Sequence, residues 1–170
     1  LPDLKKLLQL IAEYFNGHEH LVFTVACEFL QEEYRIYMEY FEHGTLADLI
    51  QAQIADPTNL AQWGEVVVTV GAHTLDALEY LHSLEIAHRD IKPENVFLAN
   101  NGLFKLGDFD ECIELEDVDN YRIAGSLVYM APEMAGYDPK KEGSEVPGKP
   151  ADVFSFGMML LEISSLQTPY

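Results

Sequence analysis

Basic residues are scarce in this chain of 170 residues, which carries ten Lys and Arg against twenty-nine Asp and Glu. The formal net charge is −19, and so acidic a surface repels the phosphates of nucleic acid and of anionic lipid. We therefore expect no nucleic-acid partner. Long apolar runs are lacking too: none approaches the roughly 18–20 residues that cross a bilayer, so no membrane span is predicted.

Cysteine is also rare, since Cys27 and Cys112 lie far apart and outside any Cys-x-x-Cys pattern. We expect neither a disulfide framework nor a zinc site. A reducing compartment is the default for such a sequence, which predicts an intracellular protein, cytoplasmic or nuclear. The histidines do not supply a metal set either, because His18 and His20 have no cysteine nearby.

The sequence does contain both helical and strand patterns, which predict an α+β protein. The predicted elements are a helix over 3–15, a hairpin of strands 21–30 and 34–41, a helix from Leu46 to Gln53, a helix over 60–82, a hairpin of strands 96–98 and 103–106, and an apolar helix over 152–166. Residues 66–70 have strand propensity, but the length of the pattern favours one long helix, with Leu75, Leu78 and Leu81 on one face. Residues 56–59, 110–122 and 136–150 are predicted to be irregular.

The most informative run is residues 88–95, which read HRDIKPEN. Three further motifs follow in order: DFD at 108–110, APE at 131–133 and DVFSFG at 152–157. Together they resemble the eukaryotic protein kinases of the Ser/Thr type, whose catalytic loop reads H-R-D-x-K-P-x-N. The resemblance covers essentially the whole chain.

The resemblance implies a partial form of the two-lobe protein-kinase fold. Residues 1–41 would be a remnant of the N-lobe, consisting of a helix like αC, two strands and the hinge. Residues 42–170 would be the first half of the mainly helical C-lobe, with the catalytic loop, the activation segment and helix αF.

The implied activity is transfer of the γ-phosphate of ATP to Ser or Thr hydroxyls of a protein substrate. Asp90 would orient the hydroxyl and accept its proton, and Lys92 would lie beside the migrating phosphate as a point charge. Asn95 and Asp108 supply the oxygen ligands that Mg²⁺ prefers, with Mn²⁺ as the alternative ion. Taken alone, Asp90 and Asp108 would each be interpreted as a surface carboxylate.

Residues 38–41, which read MEYF, resemble the gatekeeper and hinge. The resemblance implies that backbone groups of Glu39 and Phe41 bind adenine and that Phe97 covers its face. For Met38 and Phe97, plain core packing is an equally good interpretation. Ser126 is implied to hydrogen-bond Asp90 and Lys92; the alternative is an ordinary loop serine.

Several parts of the family pattern have no match in the sequence. It shows no Gly-rich loop and no V-A-I-K strand, no αC glutamate can be assigned, and the later C-lobe helices are unmatched. Asp110 stands where the family has Gly, and it would either bind a second cation or raise the pKa of Asp108. We therefore expect the isolated chain to turn over weakly or not at all.

Two other functions stay open. The unmatched parts favour a pseudokinase that binds protein partners without catalysis. A small-molecule kinase is the weaker alternative, because residues 125–133 resemble a peptide-docking loop. The sequence leaves the oligomeric state open.

The acidic segment between Asp110 and Gly125 contains no Ser or Thr. Either one of its carboxylates takes the place of an activating phosphate near Arg89, or the acidic run is simply solvated. The carboxylates concerned are Glu111, Glu114, Glu116, Asp117 and Asp119.

Overall fold

A computed structural model describes residue 11 and residues 14–30, 33–116, 123–136 and 147–169. The predicted helix over 3–15 therefore lies largely outside the described residues, as do Asp117 and Asp119. The strands are β1 (Thr24–Leu30), β2 (Glu33–Met38), β3 (Ile86–Ala87), β4 (Val96–Leu98), β5 (Phe104–Leu106) and β6 (Ile113–Glu114). The helices are α1 (Leu46–Ala55), α2 (Leu60–Ser83), α3 (Pro132–Ala135) and α4 (Lys149–Ser165). The α+β class predicted from the sequence is confirmed.

The first predicted hairpin is present, with β1 and β2 antiparallel and Cys27 opposite Ile36. Both strands are shorter than predicted. Leu21 forms a parallel bridge with Leu106 instead of joining β1. The second strand ends at Met38, and one further hydrogen bond, from the Glu39 N–H to the Phe23 carbonyl, links the residues that follow and precede the two strands.

Helix α1 starts where the sequence predicted and runs two residues further, to Ala55. A capping box fixes its start: the Asp48 N–H donates to Thr45 Oγ1 at 3.3 Å, and the Thr45 N–H donates to Asp48 Oδ2 at 2.8 Å. The predicted irregular segment 56–59 contains a one-turn 3₁₀ helix, Pro57–Asn59, whose first residues are capped by Asp56.

Residues 60–83 form one continuous helix, α2, so the strand alternative for 66–70 is wrong. Leu78 and Leu81 are buried, but Leu75 is half exposed. Each residue advances a helix by about 100°, so Leu75 lies about 120° around the axis from Leu81 and leaves the buried face. The indole N–H of Trp63 donates to the Ile163 carbonyl at 2.7 Å and joins α2 to α4.

The second predicted hairpin is present as β4 and β5, with Phe97 opposite Lys105. The acidic segment predicted to be irregular contains β6, which pairs with β3 through Ala87 and Ile113. Helix α4 begins at Lys149, three residues earlier than predicted, since Pro150 fits the first turn of a helix. In the part of the chain that the structure describes, no helix is long and apolar enough to cross a membrane.

Candidate active site

The carboxylate of Asp152, which is completely buried at the start of α4, hydrogen-bonds the beginning of the loop over 88–95. Its oxygens accept the N–H of His88 at 2.8 Å and the N–H of Arg89 at 2.7 Å. The Nε2 of His82 lies 2.8 Å from the same carboxylate. Arg89 has a left-handed backbone with φ of 69°, which non-glycine residues adopt only under constraint. These hydrogen bonds supply that constraint.

The ring of His88 connects this loop to the segment that carries Asp108. Its Nε2 lies 3.0 Å from the Gly107 carbonyl, and its Nδ1 accepts the N–H of Asp90 at 3.3 Å. Nε2 must therefore carry the proton and Nδ1 must lack it. Burial lowers the pKa of His88 despite the opposing effect of the Asp152 charge, so the neutral ring fits both contacts.

Asp90 is the centre of a hydrogen-bonded cluster. Lys92 Nζ donates to its Oδ2 at 2.6 Å, and the N–H and hydroxyl of Ser126 donate to its Oδ1 at 3.0 and 2.9 Å. Lys92 also donates to the Ser126 hydroxyl at 3.0 Å. Burial raises the pKa of Asp90, but the hydrogen bonds from Lys92, Ser126 and Asn95 outweigh it and hold the pKa below its ordinary value. Asp90 is thus ionised at neutral pH.

Asn95 is buried at the end of a one-turn 3₁₀ helix, Pro93–Asn95. Its Nδ2 donates to the Asp90 carbonyl at 2.8 Å and to Asp90 Oδ2 at 3.1 Å. These two bonds orient the amide group, so Oδ1 is the atom that can ligate a cation.

A cavity of about 390 Å³ opens beside this cluster. Its lining includes Asn95, Asp108, Asp110, Met38 and Phe97. The volume falls in the range of about 300–1,000 Å³ that is usual for small-molecule sites. Asn95 and Asp108 thus share this cavity, and Asn95 links it to Asp90 and Lys92 through hydrogen bonds to Asp90.

The predicted adenine-binding residues Glu39 and Phe41 are not among the described residues that line this cavity. The ring of Phe41 stacks on Phe97 with centroids 4.9 Å apart. The carboxylate of Glu39 accepts Lys105 Nζ at 2.7 Å and the Phe23 N–H at 2.8 Å. The Glu39 side chain thus points into protein contacts, which is compatible with a backbone role in binding.

A second cavity, of about 560 Å³, which we call the groove, lies on the other side of Lys92 and Asn95. Glu94 and Glu162 line it, and the Tyr129 hydroxyl donates to Glu162. Sequence reasoning did not identify this groove, although Glu94 lies inside the 88–95 motif. Glu162 is 68 positions further along the chain, so only the folding of α4 beside the loop reveals their proximity.

No described group of three or more His, Cys, Asp or Glu side chains is arranged to hold a metal ion. Asn95 and Asp108 together offer one amide oxygen and one carboxylate. That set suits Mg²⁺, which usually takes one or two carboxylates and completes its shell with water and substrate phosphates.

Comparison with known proteins identifies the family. Residues 8–170 match the protein kinase domain family, so this chain belongs to it. Among its relatives is serine/threonine-protein kinase SKM1 of Saccharomyces cerevisiae, 35% identical over 151 residues, or 82% of this chain and 21% of the relative. Another is serine/threonine-protein kinase ste20 of Emericella nidulans, 34% identical over 79% of this chain and 14% of the relative.

A third relative, serine/threonine-protein kinase CST20 of Candida albicans, is 31% identical over 91% of this chain and 12% of its own length. The chain thus spans at most about a fifth of the length of these relatives. All three are named as Ser/Thr protein kinases, which agrees with the type that the HRDIKPEN run indicated.

Proposed function

We propose that this chain carries the catalytic centre of a protein kinase that transfers the γ-phosphate of ATP to Ser or Thr hydroxyls of proteins. One observation carries the proposal: Asp90, Lys92, Asn95 and Ser126 form one hydrogen-bonded cluster between two cavities. Asn95 lines both cavities, so groups bound on the two sides would meet beside Asp90.

In this proposal the partial two-lobe arrangement divides near residue 41. Residues 1–41 form the remnant of the N-lobe and residues 42–170 the partial C-lobe. The 390 Å³ cavity takes lining residues from both parts, including Met38 on one side and Asp108 on the other. That position supports a nucleotide site in the cleft between them.

ATP is the proposed nucleotide substrate, with adenine near Met38, Phe41 and Phe97 and the phosphates near Asn95 and Asp108. Mg²⁺, or Mn²⁺ in its place, would neutralise charge on the phosphates when bound. Asn95 would offer its oxygen to the ion because its nitrogen is already committed to Asp90. Asp108 would add its carboxylate from the segment that follows β5.

Asp90 would orient the substrate hydroxyl through its carboxylate, whose two oxygens are held in place by Lys92, Asn95 and Ser126. Because its pKa lies below the ordinary value, it is a weak base, so its main contribution is positioning and late acceptance of the proton. Lys92 would balance the charge of the transferring phosphate while its contact with Ser126 holds it in place.

The 560 Å³ groove is the proposed site for the protein substrate. Glu94 and Glu162 give it negative charge, which favours segments that carry Lys or Arg close to the acceptor hydroxyl. The relatives are several times longer than this chain. The preference for basic segments is therefore proposed for this groove and not for a whole protein.

The second candidate function is binding of protein partners without catalysis. Asp110 supports it, since this residue lines the cavity together with Asp108 and adds negative charge where phosphates would lie. A pseudokinase would keep the peptide groove and lose tight nucleotide binding.

The test is phosphate transfer from ATP to a generic protein carrying Ser, Thr and basic residues, measured with Mg²⁺ and with Mn²⁺. We expect transfer by the full-length protein, and its loss in Asp90→Asn by about 10²-fold or more. Glu65→Gln, a carboxylate-to-amide change at an exposed position of α2, is the matched control and should keep activity. Absence of both transfer and nucleotide-dependent thermal stabilisation in the unsubstituted protein would refute the kinase proposal and favour the binding function.

A further inference from the structure

We propose that His20 and His73 are positioning residues that hold strand β5 and, through it, Asp108, and that protonation of His73 releases this hold. We call the two rings, together with the Phe104 backbone N–H and carbonyl that they contact, the histidine clasp. The role assigned to Asp108 rests on the proposed function, whereas the clasp itself is defined by contacts alone.

The two histidine rings hydrogen-bond both backbone polar groups of Phe104, the first residue of β5. The His20 Nδ1 lies 3.1 Å from the Phe104 carbonyl oxygen. The Phe104 N–H donates to His73 Nδ1 at 3.1 Å. The two rings stack on each other with centroids 4.0 Å apart and 21° between their planes.

These contacts fix where the protons are. A carbonyl only accepts, so His20 must carry a proton on Nδ1. His73 Nδ1 accepts an N–H and must therefore lack a proton, which places the proton of its neutral ring on Nε2. A second proton on His73 would have to go to Nδ1, and there it would break the bond to Phe104.

His20 differs in this respect. Its Nε2 lies 3.8 Å from the carboxylate of Asp76, and His18 Nε2 lies 3.3 Å from the same group. A doubly protonated His20 would keep its bond to Phe104 and face an anion. Of the two rings, His73 is therefore the one whose bond to Phe104 would be lost on gaining a proton.

The charged and titratable groups around His73 come from three elements. The segment before β1 contributes His20 and Glu19, and α2 itself contributes Asp76. His18 lies 3.3 Å from Asp76 and stacks on Tyr80, and Lys105 of β5, next to Phe104, is paired with Glu39. Burial lowers the pKa of His73, the charge of His20 lowers it further, and Glu19 and Asp76 oppose them. In the folded protein the ring of His73 is therefore neutral near pH 7.

Strand β5 transmits the effect to the proposed cation site. The His20 carbonyl accepts the Leu106 N–H at 2.8 Å, and the Val22 N–H donates to the Leu106 carbonyl at 2.9 Å. One residue later the Gly107 N–H donates to the Asn95 carbonyl at 2.9 Å. Asp108 follows directly, so the clasp, β5 and Asn95 form one chain of contacts.

The sign of the pH dependence follows from the lowered pKa. His73 takes up a proton more readily when the clasp is open than when it is closed. The closed form is thus fully favoured above about pH 6.5, the ordinary histidine pKa, and is progressively lost as the pH falls below it.

Amide hydrogen exchange tests the clasp directly, because Phe104 and Gly107 donate the two diagnostic hydrogen bonds. Protection factors are compared at about pH 7.5 and about pH 5.5, on either side of the histidine pKa. We expect both amides to lose about tenfold or more in protection at the lower pH, the scale of one lost hydrogen bond. The Met159 amide inside α4 reports global unfolding and should not change.

Three variants complete the test. His73→Asn keeps an acceptor near the position of Nδ1 but does not titrate, so Phe104 protection should become independent of pH. His73→Phe keeps the stacking ring and loses the acceptor, so protection should be low at both pH values. His43→Asn removes an exposed histidine elsewhere and should keep the pH dependence of the unsubstituted protein.

The comparison in the unsubstituted protein needs no variant to fold. Equal Phe104 protection at both pH values would overturn the clasp, as would an unchanged pH dependence in His73→Asn. Loss at Phe104 with full protection kept at Gly107 would overturn the positioning of Asp108. None of these readouts uses a nucleotide, so a failure of the phosphotransfer proposal would be recognised separately.

Discussion

The guanidinium of Arg89 and the carboxylate of Glu111 form an ion pair, with Nη2 and Oε2 3.8 Å apart. Arg89 Nε also donates to the Glu111 carbonyl at 2.6 Å. The Arg89 side chain is only 3% exposed, and a buried cation needs a nearby anion. Glu111, one of the acidic residues that the sequence offered for this place, therefore supplies an anion to Arg89.

We expect Glu111→Gln to lower phosphate transfer by about fivefold, because it removes an ion pair worth ~1 kcal/mol while keeping the backbone contact. Glu116→Gln, at an exposed position of the same segment, is the control and should leave the rate unchanged. Phosphatase treatment of the unsubstituted protein should also leave it unchanged. A collapse of activity after that treatment, with a phosphosite found within residues 111–125, would show that Glu111 does not replace a phosphate.

Ser126 holds both Asp90 and Lys92 through its hydroxyl. Ser126→Ala should lower kcat by about tenfold, since one hydrogen bond to a charged group contributes about 1.5 kcal/mol or more. The KM for ATP should change little, because Ser126 lines the other cavity. Ser126→Thr restores the hydroxyl and should recover most of the rate; equal losses in both variants would contradict this role.

Gly125 and Gly102 both have left-handed backbones, with φ of 99° and 82°. A Cβ at Gly125 would lie 2.4 Å from the Arg89 carbonyl oxygen, whereas one at Gly102 would meet nothing within 4 Å. Gly102→Ala should therefore cost about 1 kcal/mol of unfolding free energy from backbone strain alone. Gly125→Ala should cost clearly more, and comparable urea midpoints for the two variants would count against the close approach.

The buried carboxylate of Asp152 accepts two backbone N–H groups and contacts His82. Asp152→Asn should lower the free energy of unfolding by roughly 2–3 kcal/mol, because one of its oxygens becomes an NH₂ group that cannot accept these bonds. Urea denaturation measures this loss, with Glu65→Gln as the control. A loss below about 0.5 kcal/mol would be typical of a surface position and would mean that Asp152 does not constrain the loop.

The lowered pKa of Asp90 makes a stability contribution that depends on pH. The contribution is present above about pH 3.8, the ordinary carboxyl value, and is lost as the pH falls through the lower folded pKa. Lys92→Met should therefore destabilise the protein most near neutral pH and least in acid. Urea denaturation at about pH 6 and about pH 3, on either side of the ordinary carboxyl pKa, checks this; a constant difference would exclude the coupling.

Periodicity was enough to predict the elements whose patterns are long or whose turns are distinctive. The 24-residue helix α2 and the hairpin around the Asn100-Asn101-Gly102 turn were both predicted correctly. Short strand pairings were not predicted. Strand β6 has two residues and no pattern of its own, and it forms because Ile113 pairs with Ala87 and packs with it in a small buried cluster. The exposure of Leu75 likewise depends on which face of α2 meets its neighbours.

The sequence by itself determined the family, and it predicted the site, because residues 88–95 keep Asp90, Lys92 and Asn95 within one short loop. Their spacing confines these side chains to one neighbourhood in any fold. The tertiary structure alone decided what surrounds them: Glu162 in the same cavity lining as Glu94, Glu111 beside Arg89 and His73 beside His20. Each of these pairs is brought together by the packing of separate elements, and contacts between residues distant in the chain leave no periodic signal in the sequence.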